Sequence, residues 1–132
     1  MILGNRIKVI IIEDEQDHLY LYSEFLLMKG YSIIFTDTDT TNILNEYKKY
    51  KPDVIIIDYN LLDIKKGIES SKRIINSFPN ASFLLISANI SLTQTSYKEQ
   101  FLKDQRIEFL IEPIKLQMLE KSIKYLQNNV IV

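Results

Sequence analysis

Val9-Ile10-Ile11-Ile12-Glu13-Asp14 and Val54-Ile55-Ile56-Ile57-Asp58 decide the fold. Each is an unbroken run of β-branched residues that stops at an acid. Such a run reads as a strand buried on both faces, because a strand with one wet face alternates apolar and polar residues. Strands covered on both faces belong to a parallel sheet with helices on either side. In an open sheet of that kind the ligand crevice lies beyond the carboxyl ends of the strands. The acids stand at those ends, where a core has no use for charge.

Working outward, strands and helices alternate. Ile7 to Ile12 is the first strand, and Gln16 to Lys29 a helix with Leu21, Phe25 and Met28 on one stripe and Gly30 as its stop. Tyr31 to Phe35 is the second strand, rich in β-branched and aromatic residues. Asp37 to Asp39 offer N-caps for a helix reaching Tyr50, which Pro52-Asp53 breaks. Val54 to Ile57 is the third strand; a loop from Tyr59 to Gly67 leads to a helix ending near Phe78. Ser82 to Ile86 and Ile107 to Ile111 are the fourth and fifth strands, with a fourth helix between them over Leu92 to Leu102. Pro113 opens a fifth helix whose Leu116, Leu119, Ile123 and Leu126 share one face. This is (βα)5. Right-handed crossovers then predict a doubly wound α/β sheet, flavodoxin-like, with strand order 2-1-3-4-5.

Bulk properties exclude several classes. A chain of 132 residues, 46% hydrophobic, is expected to be one globular domain spanning 1–132, with no room for an output domain. Sixteen basic residues against 17 acidic ones leave a formal charge of −1, which gives no electrostatic reason to expect nucleic acid or an anionic membrane as partner. With no cysteine, disulfides and thiolate chemistry are out. No stretch approaches the ~20 apolar residues of a spanning helix and no secretory pattern opens the chain; the expected location is cytoplasmic.

The strand ends carry the chemistry. The order 2-1-3-4-5 puts the switch point between strands 1 and 3, which end in Glu13, Asp14 and Asp58. Three carboxylates meeting there would bind a hard divalent cation and present one oxygen as a nucleophile. Ser87-Ala88 closes strand 4 and Glu112-Pro113 follows strand 5, so every strand end near the crevice holds a polar group.

Here the chain resembles the response-regulator receiver domain of two-component signalling, over essentially its whole length. The matching motifs are Ile10-Ile11-Ile12-Glu13-Asp14-Glu15, Pro52-Asp53-Val54-Ile55-Ile56-Ile57-Asp58-Tyr59-Asn60, Leu84-Leu85-Ile86-Ser87-Ala88 and Phe109-Leu110-Ile111-Glu112-Pro113. The resemblance implies a stand-alone receiver in a phosphorelay, not a conventional enzyme. Asp58 would be the phosphoacceptor, taking phosphoryl from a histidine kinase, a phosphotransfer protein or a small phosphodonor. Asp14, Asp58 and the Asn60 carbonyl would ligate Mg²⁺, with Glu13 acting through a metal-bound water. Ser87 would be the switch hydroxyl and Phe109 the switch aromatic. A downstream protein, or a second copy, would dock on the fourth helix, fifth strand and fifth helix, near Phe109 and Leu116.

One departure matters. The family places a lysine where this chain has Glu112. At ~4 Å and an effective dielectric of ~20, two unit charges interact by roughly 4 kcal/mol. Glu112 should therefore oppose a phosphorylated Asp58 and raise the pKa of a neighbouring carboxyl, or increase the site's demand for a cation. The alternative function follows: a degenerate receiver, a phosphate-independent protein-binding module. The loop Leu61-Leu62-Asp63-Ile64-Lys65-Lys66-Gly67 lacks the family's usual proline. A flavin-binding fold would want a glycine- and hydroxyl-rich loop after strand 1, and a haloacid-dehalogenase-type phosphohydrolase a second aspartate where Asn60 stands; neither fits. His18, the single histidine, and tyrosines such as Tyr20, Tyr22, Tyr47 and Tyr50 read as packing residues.

Overall fold

The computed structural model describes residues 6–59, 64–87 and 106–128. Five parallel strands form one sheet: β1 (Lys8–Ile12), β2 (Ser32–Asp37), β3 (Val54–Tyr59), β4 (Phe83–Ser87) and β5 (Ile107–Ile111), in the order β2-β1-β3-β4-β5. Four helices accompany them among the described residues: α1 (Gln16–Met28), α2 (Ile43–Tyr50), α3 (Ile64–Ser77) and α4 (Leu116–Asn128). α4 is the fifth helix expected above; the fourth expected helix, over 92–102, lies outside the described residues.

The pleat divides the core in two. Val9, Ile11, Val54, Ile56, Leu84 and Ile86 point to one face, where α1 and α4 cover them with Tyr22, Phe25, Leu26, Leu119, Ile123 and Leu126. Ile10, Ile12, Ile55, Ile57, Phe83 and Leu85 point to the other, under Ile43 of α2 and Ile74 and Ile75 of α3. Both halves of every apolar run are therefore buried, at about 1.5–3 kcal/mol for each large side chain. β1 pairs with β3 from Val9–Val54 to Ile12–Ile57 without slippage, so Glu13 and Asp58 leave the sheet side by side.

Three elements differ from expectation. On α1 the buried stripe is Tyr22, Phe25 and Leu26, whereas Leu21 is 48% and Met28 75% exposed. The helix is turned about one residue from the stripe Leu21, Phe25, Met28, because Tyr22 and Leu26, one turn apart, face the sheet and α4. Its end follows expectation: Gly30 takes φ +93, the Gly30 N–H bonds Leu27 O and the Tyr31 N–H bonds Leu26 O, so the last carbonyls are satisfied by a left-handed glycine. α2 starts at Ile43, later than its apparent caps, and β2 runs on to Asp37. The Asp39 carboxylate takes the Thr41 N–H at 2.9 Å, closing a local turn that delays the helix.

Candidate functional site at the ends of β1, β3 and β5

The register carries Asp58 to the face of Val54 and Ile56, toward α1. Its carboxylate is buried, and Oδ2 accepts a hydrogen bond from the Tyr22 hydroxyl at 2.9 Å. Oδ1 has no donor. Glu13, fully buried, continues the β1 face; its Oε1 accepts the Glu15 N–H at 2.9 Å, and its Oε2 has no donor. The Glu13 N–H is itself held by Asp37 O at 2.9 Å, fixing the strand end against β2.

His18, in the first turn of α1, reaches the same place. Its Nδ1 stands 3.7 Å from Glu13 Oε2, 3.8 Å from Asp58 Oδ2 and 3.2 Å from Glu15 Oε2. Glu112 completes the cluster. Its N–H donates to Ser87 O at 2.9 Å, tying the turn after β5 to the end of β4. Its side chain turns to Asp58, with Oε1 lacking a donor, and the Glu112-Pro113 bond is cis. Among the described residues no lysine or arginine pairs with Glu13, Asp58 or Glu112. A cleft of about 420 Å³, lined by His18, Tyr22, Glu112, Ile114 and Leu116, opens onto the cluster.

The protonation chemistry follows from crowding acids in a dry corner. Burial, and then the Glu13 carboxyl beside it, push Asp58 up to about 7, against partial relief from hydrogen bonds to Glu112 and Tyr22. Burial and the neighbouring Asp58 likewise push Glu112 up to about 7, while His18 pulls it the other way. Glu13 is raised mainly by burial, and the Tyr22 phenol is raised by burial and by Asp58. Both shifts favour the protonated form of an acid, which relieves the repulsion between Asp58 and Glu112.

Of the residues singled out from sequence, the structure brings Glu13, Asp58 and Glu112 together. Ser87 is buried at the end of β4, opposite Tyr59 in register, and Phe109 is half-buried on β5 against the α2–α3 face. Asp14 is exposed on the turn after β1, close enough to raise its neighbour Glu13. Asn60 lies outside the described residues. His18 and Tyr22 are the residues that sequence reading set aside as packing. Their signal was their spacing: one helical turn apart, they share a face at the end of the helix that follows the acids.

The unmet buried oxygens Glu13 Oε2, Asp58 Oδ1 and Glu112 Oε1 fit a divalent cation, since hard carboxylate oxygens without donors are what such an ion satisfies. Glu13, His18 and Asp58 each offer a ligand atom within 4.8 Å of the others.

With fold and site in place, the family is clear. The chain belongs to the response regulator receiver domain family, whose pattern matches residues 9–124. Receiver domains are as a class signalling modules rather than enzymes: they bind Mg²⁺ through acidic residues and interact with histidine kinases or phosphotransfer proteins and with downstream targets. The chain is 26% identical to the transcriptional regulatory protein DegU of Brevibacillus brevis, over 91% of this chain and 50% of the relative. It thus spans about half the length of that relative. It is 23% identical to the chemotaxis protein CheY of Thermotoga maritima, over 82% of this chain and 87% of that one. Among solved structures, the receiver domain of RcsB from Salmonella enterica serovar Typhimurium, determined with the phosphomimetic BeF3⁻, superposes with a TM-score of 0.75 at 21% identity, over 97% of this chain and 93% of that one. Among the described residues no helix is long and apolar enough to cross a membrane.

Proposed function

We propose that the chain is a phosphoacceptor receiver that takes a phosphoryl group on Asp58 and signals through a protein partner. The observation that carries this reading is the asymmetric setting of the Asp58 carboxylate. Tyr22 holds Oδ2, and Oδ1 is left without a donor at the crevice end of β3. A carboxylate pinned by one oxygen presents the other as an oriented nucleophile. In the transfer, Oδ1 forms a bond to phosphorus as the phosphorus–nitrogen bond of a phosphohistidine breaks, and the imidazole leaves with its electron pair and takes up a proton. A divalent cation, when bound, neutralises charge on the phosphoryl oxygens. Glu13 and Asp58 would hold it, with Asp14 and the Asn60 carbonyl as further candidates from the family resemblance. Ser87 and Phe109 stand as the switch pair by the same resemblance. The partner surface we assign to β5 and α4, where Leu116 is half-buried and Met118 and Tyr125 are exposed.

A second reading has its own observation. Glu112 lies against Asp58, where a phosphoryl group would carry up to two negative charges in place of the carboxylate's one. A receiver so blocked would bind its partner without phosphate.

Intact-mass spectrometry after incubation with Mg²⁺ and a small phosphodonor separates the two. A labile gain of one phosphoryl group in wild type, absent in Asp58→Asn, supports the first. No gain in wild type but a gain in Glu112→Lys supports the second. No gain in any folded variant removes phosphoryl transfer from this site.

A further inference from the structure

The imidazole of His18 has no use in the reading above, yet its Nδ1 stands 3.7 Å from Glu13 Oε2 and 3.8 Å from Asp58 Oδ2. We infer that His18, Glu13 and Asp58 form a nitrogen–oxygen metal site that prefers a borderline transition ion such as Zn²⁺ over Mg²⁺. The proposal deepens the cation-assisted reading above, naming the ion class that the same cluster selects.

The first argument is geometric. Ligand atoms about 2.0–2.2 Å from a tetrahedral zinc stand about 3.3–3.6 Å apart. Neighbours about 2.0–2.1 Å from an octahedral magnesium stand about 2.9 Å apart. The separations on Nδ1 are both just beyond the wider spacing and well beyond the narrower one, the Asp58 oxygen measured being Oδ2, and the three residues each offer a ligand atom within 4.8 Å of the others. Closing the shell needs side-chain shifts on the order of 1 Å.

The second argument is the state of the ligand atoms. Glu13 Oε2 and Asp58 Oδ1 belong to side chains with no solvent exposure and have no hydrogen-bond donor, and His18 Nδ1 is buried without one although its ring is 35% exposed. Acidic side chains are common without a metal, but two buried acids that each keep an unmet oxygen beside an imidazole nitrogen without a partner are costly unless something meets them.

The third is ligand chemistry. Imidazole is a ligand of zinc, copper, cobalt and nickel and a poor one for magnesium. Two outer contacts support the ligands: Tyr22 donates to Asp58 Oδ2, and the Glu15 N–H donates to Glu13 Oε1. Such contacts orient metal-bound carboxylates. Glu15 Oε2, 3.2 Å from Nδ1, is the competitor that the ion must displace from the ring or recruit.

The chain makes a clean test possible, because His18 is its single histidine and it has no cysteine. The experiment is calorimetric titration of untagged, metal-stripped protein with Zn²⁺ and separately with Mg²⁺, with no phosphodonor present, for wild type, His18→Ala and His18→Asn. His18→Asn keeps a neutral polar side chain of similar reach but cannot replace the imidazole ligand. The expected result is Zn²⁺ bound at least about 100-fold more tightly than Mg²⁺ in wild type. Both variants lose about 10-fold or more of the Zn²⁺ affinity and keep that for Mg²⁺ within about threefold. Unchanged Zn²⁺ affinity in either folded variant overturns the proposal, as does Zn²⁺ binding no tighter than Mg²⁺. Zinc-edge X-ray absorption of the wild type reads the imidazole directly, and a shell without one overturns the proposal even where a variant misfolds. Phosphoryl transfer is scored separately by mass, so its absence leaves this result standing.

Discussion

The phenol of Tyr22 on α1 donates to Asp58 Oδ2 at the end of β3 over 2.9 Å, a contact between residues 36 positions apart in the chain. It places a neutral donor on the central acid of a site that Glu13 and Glu112 crowd with further carboxyls. The hydrogen bond lowers the Asp58 pKa against burial and Glu13, which raise it. A hydrogen bond to a charged group contributes about 1.5–3 kcal/mol. Tyr22→Phe is accordingly expected to lose about 1–3 kcal/mol in denaturant unfolding and to shift the Asp58 titration upward from about 7, read by carbon-13 NMR of the carboxyl. An unchanged Asp58 titration would mean that the contact does not tune the acid.

Glu112 is expected to limit phosphorylation. Its carboxyl meets Asp58, and each acid, raised to about 7 by burial and by a neighbouring carboxyl, resists further negative charge at the site. Glu112→Gln removes the repulsion and Glu112→Lys reverses it. Replacing several kcal/mol of repulsion, partly screened, predicts phosphorylation faster by about 10-fold in Glu112→Gln and more in Glu112→Lys. Time-resolved intact mass at fixed phosphodonor and Mg²⁺ measures this, and equal rates across the three proteins would count against it.

A buried acid remote from the site sets a pH dependence of its own. Glu46, in α2, is buried, with Oε2 lacking a donor and Asp37 and Asp39 beside it. Burial first, and then Asp37, raise it from 4.5 to about 8. The folded protein therefore holds this proton more tightly than the unfolded chain does. Its contribution to stability is complete below about pH 4.5 and is lost as pH rises through about 8. Glu46→Gln keeps the neutral shape and removes the titration. Between pH 5 and pH 9 the wild-type melting midpoint is expected to fall by roughly 5 °C more than that of Glu46→Gln. Parallel curves for the two proteins would exclude Glu46 as the source.

Lys51 ends α2 in the left-handed region at φ 48, just before Pro52. A side chain with a Cβ pays for that conformation, and glycine does not. Lys51→Gly is expected to raise the unfolding free energy by about 0.5–1 kcal/mol, offset in part by the freer unfolded chain. Lys29, at φ −85 at the end of α1, gives the control: Lys29→Gly should stabilise nothing. Denaturant melts of both variants decide it.

Much of this protein is legible in its sequence, for local reasons. Runs such as Val9–Ile12 and Val54–Ile57 can only be strands with two buried faces, so the parallel sheet and its helices follow from composition within a few residues. The order 2-1-3-4-5 then places Glu13 and Asp58 on adjacent strand ends, and Ser87 and Glu112 beside them. The turn of α1 was not legible: Leu21 and Met28 are as apolar as Leu26, and only packing against the sheet and α4 decides which of them is buried. With that turn come Tyr22 on Asp58 and His18 on Glu13. Glu112 was readable as a charge reversal from its position alone. That it faces Asp58 rather than turning to water depends on the fold, because only tertiary packing removes the water that would otherwise separate two like charges.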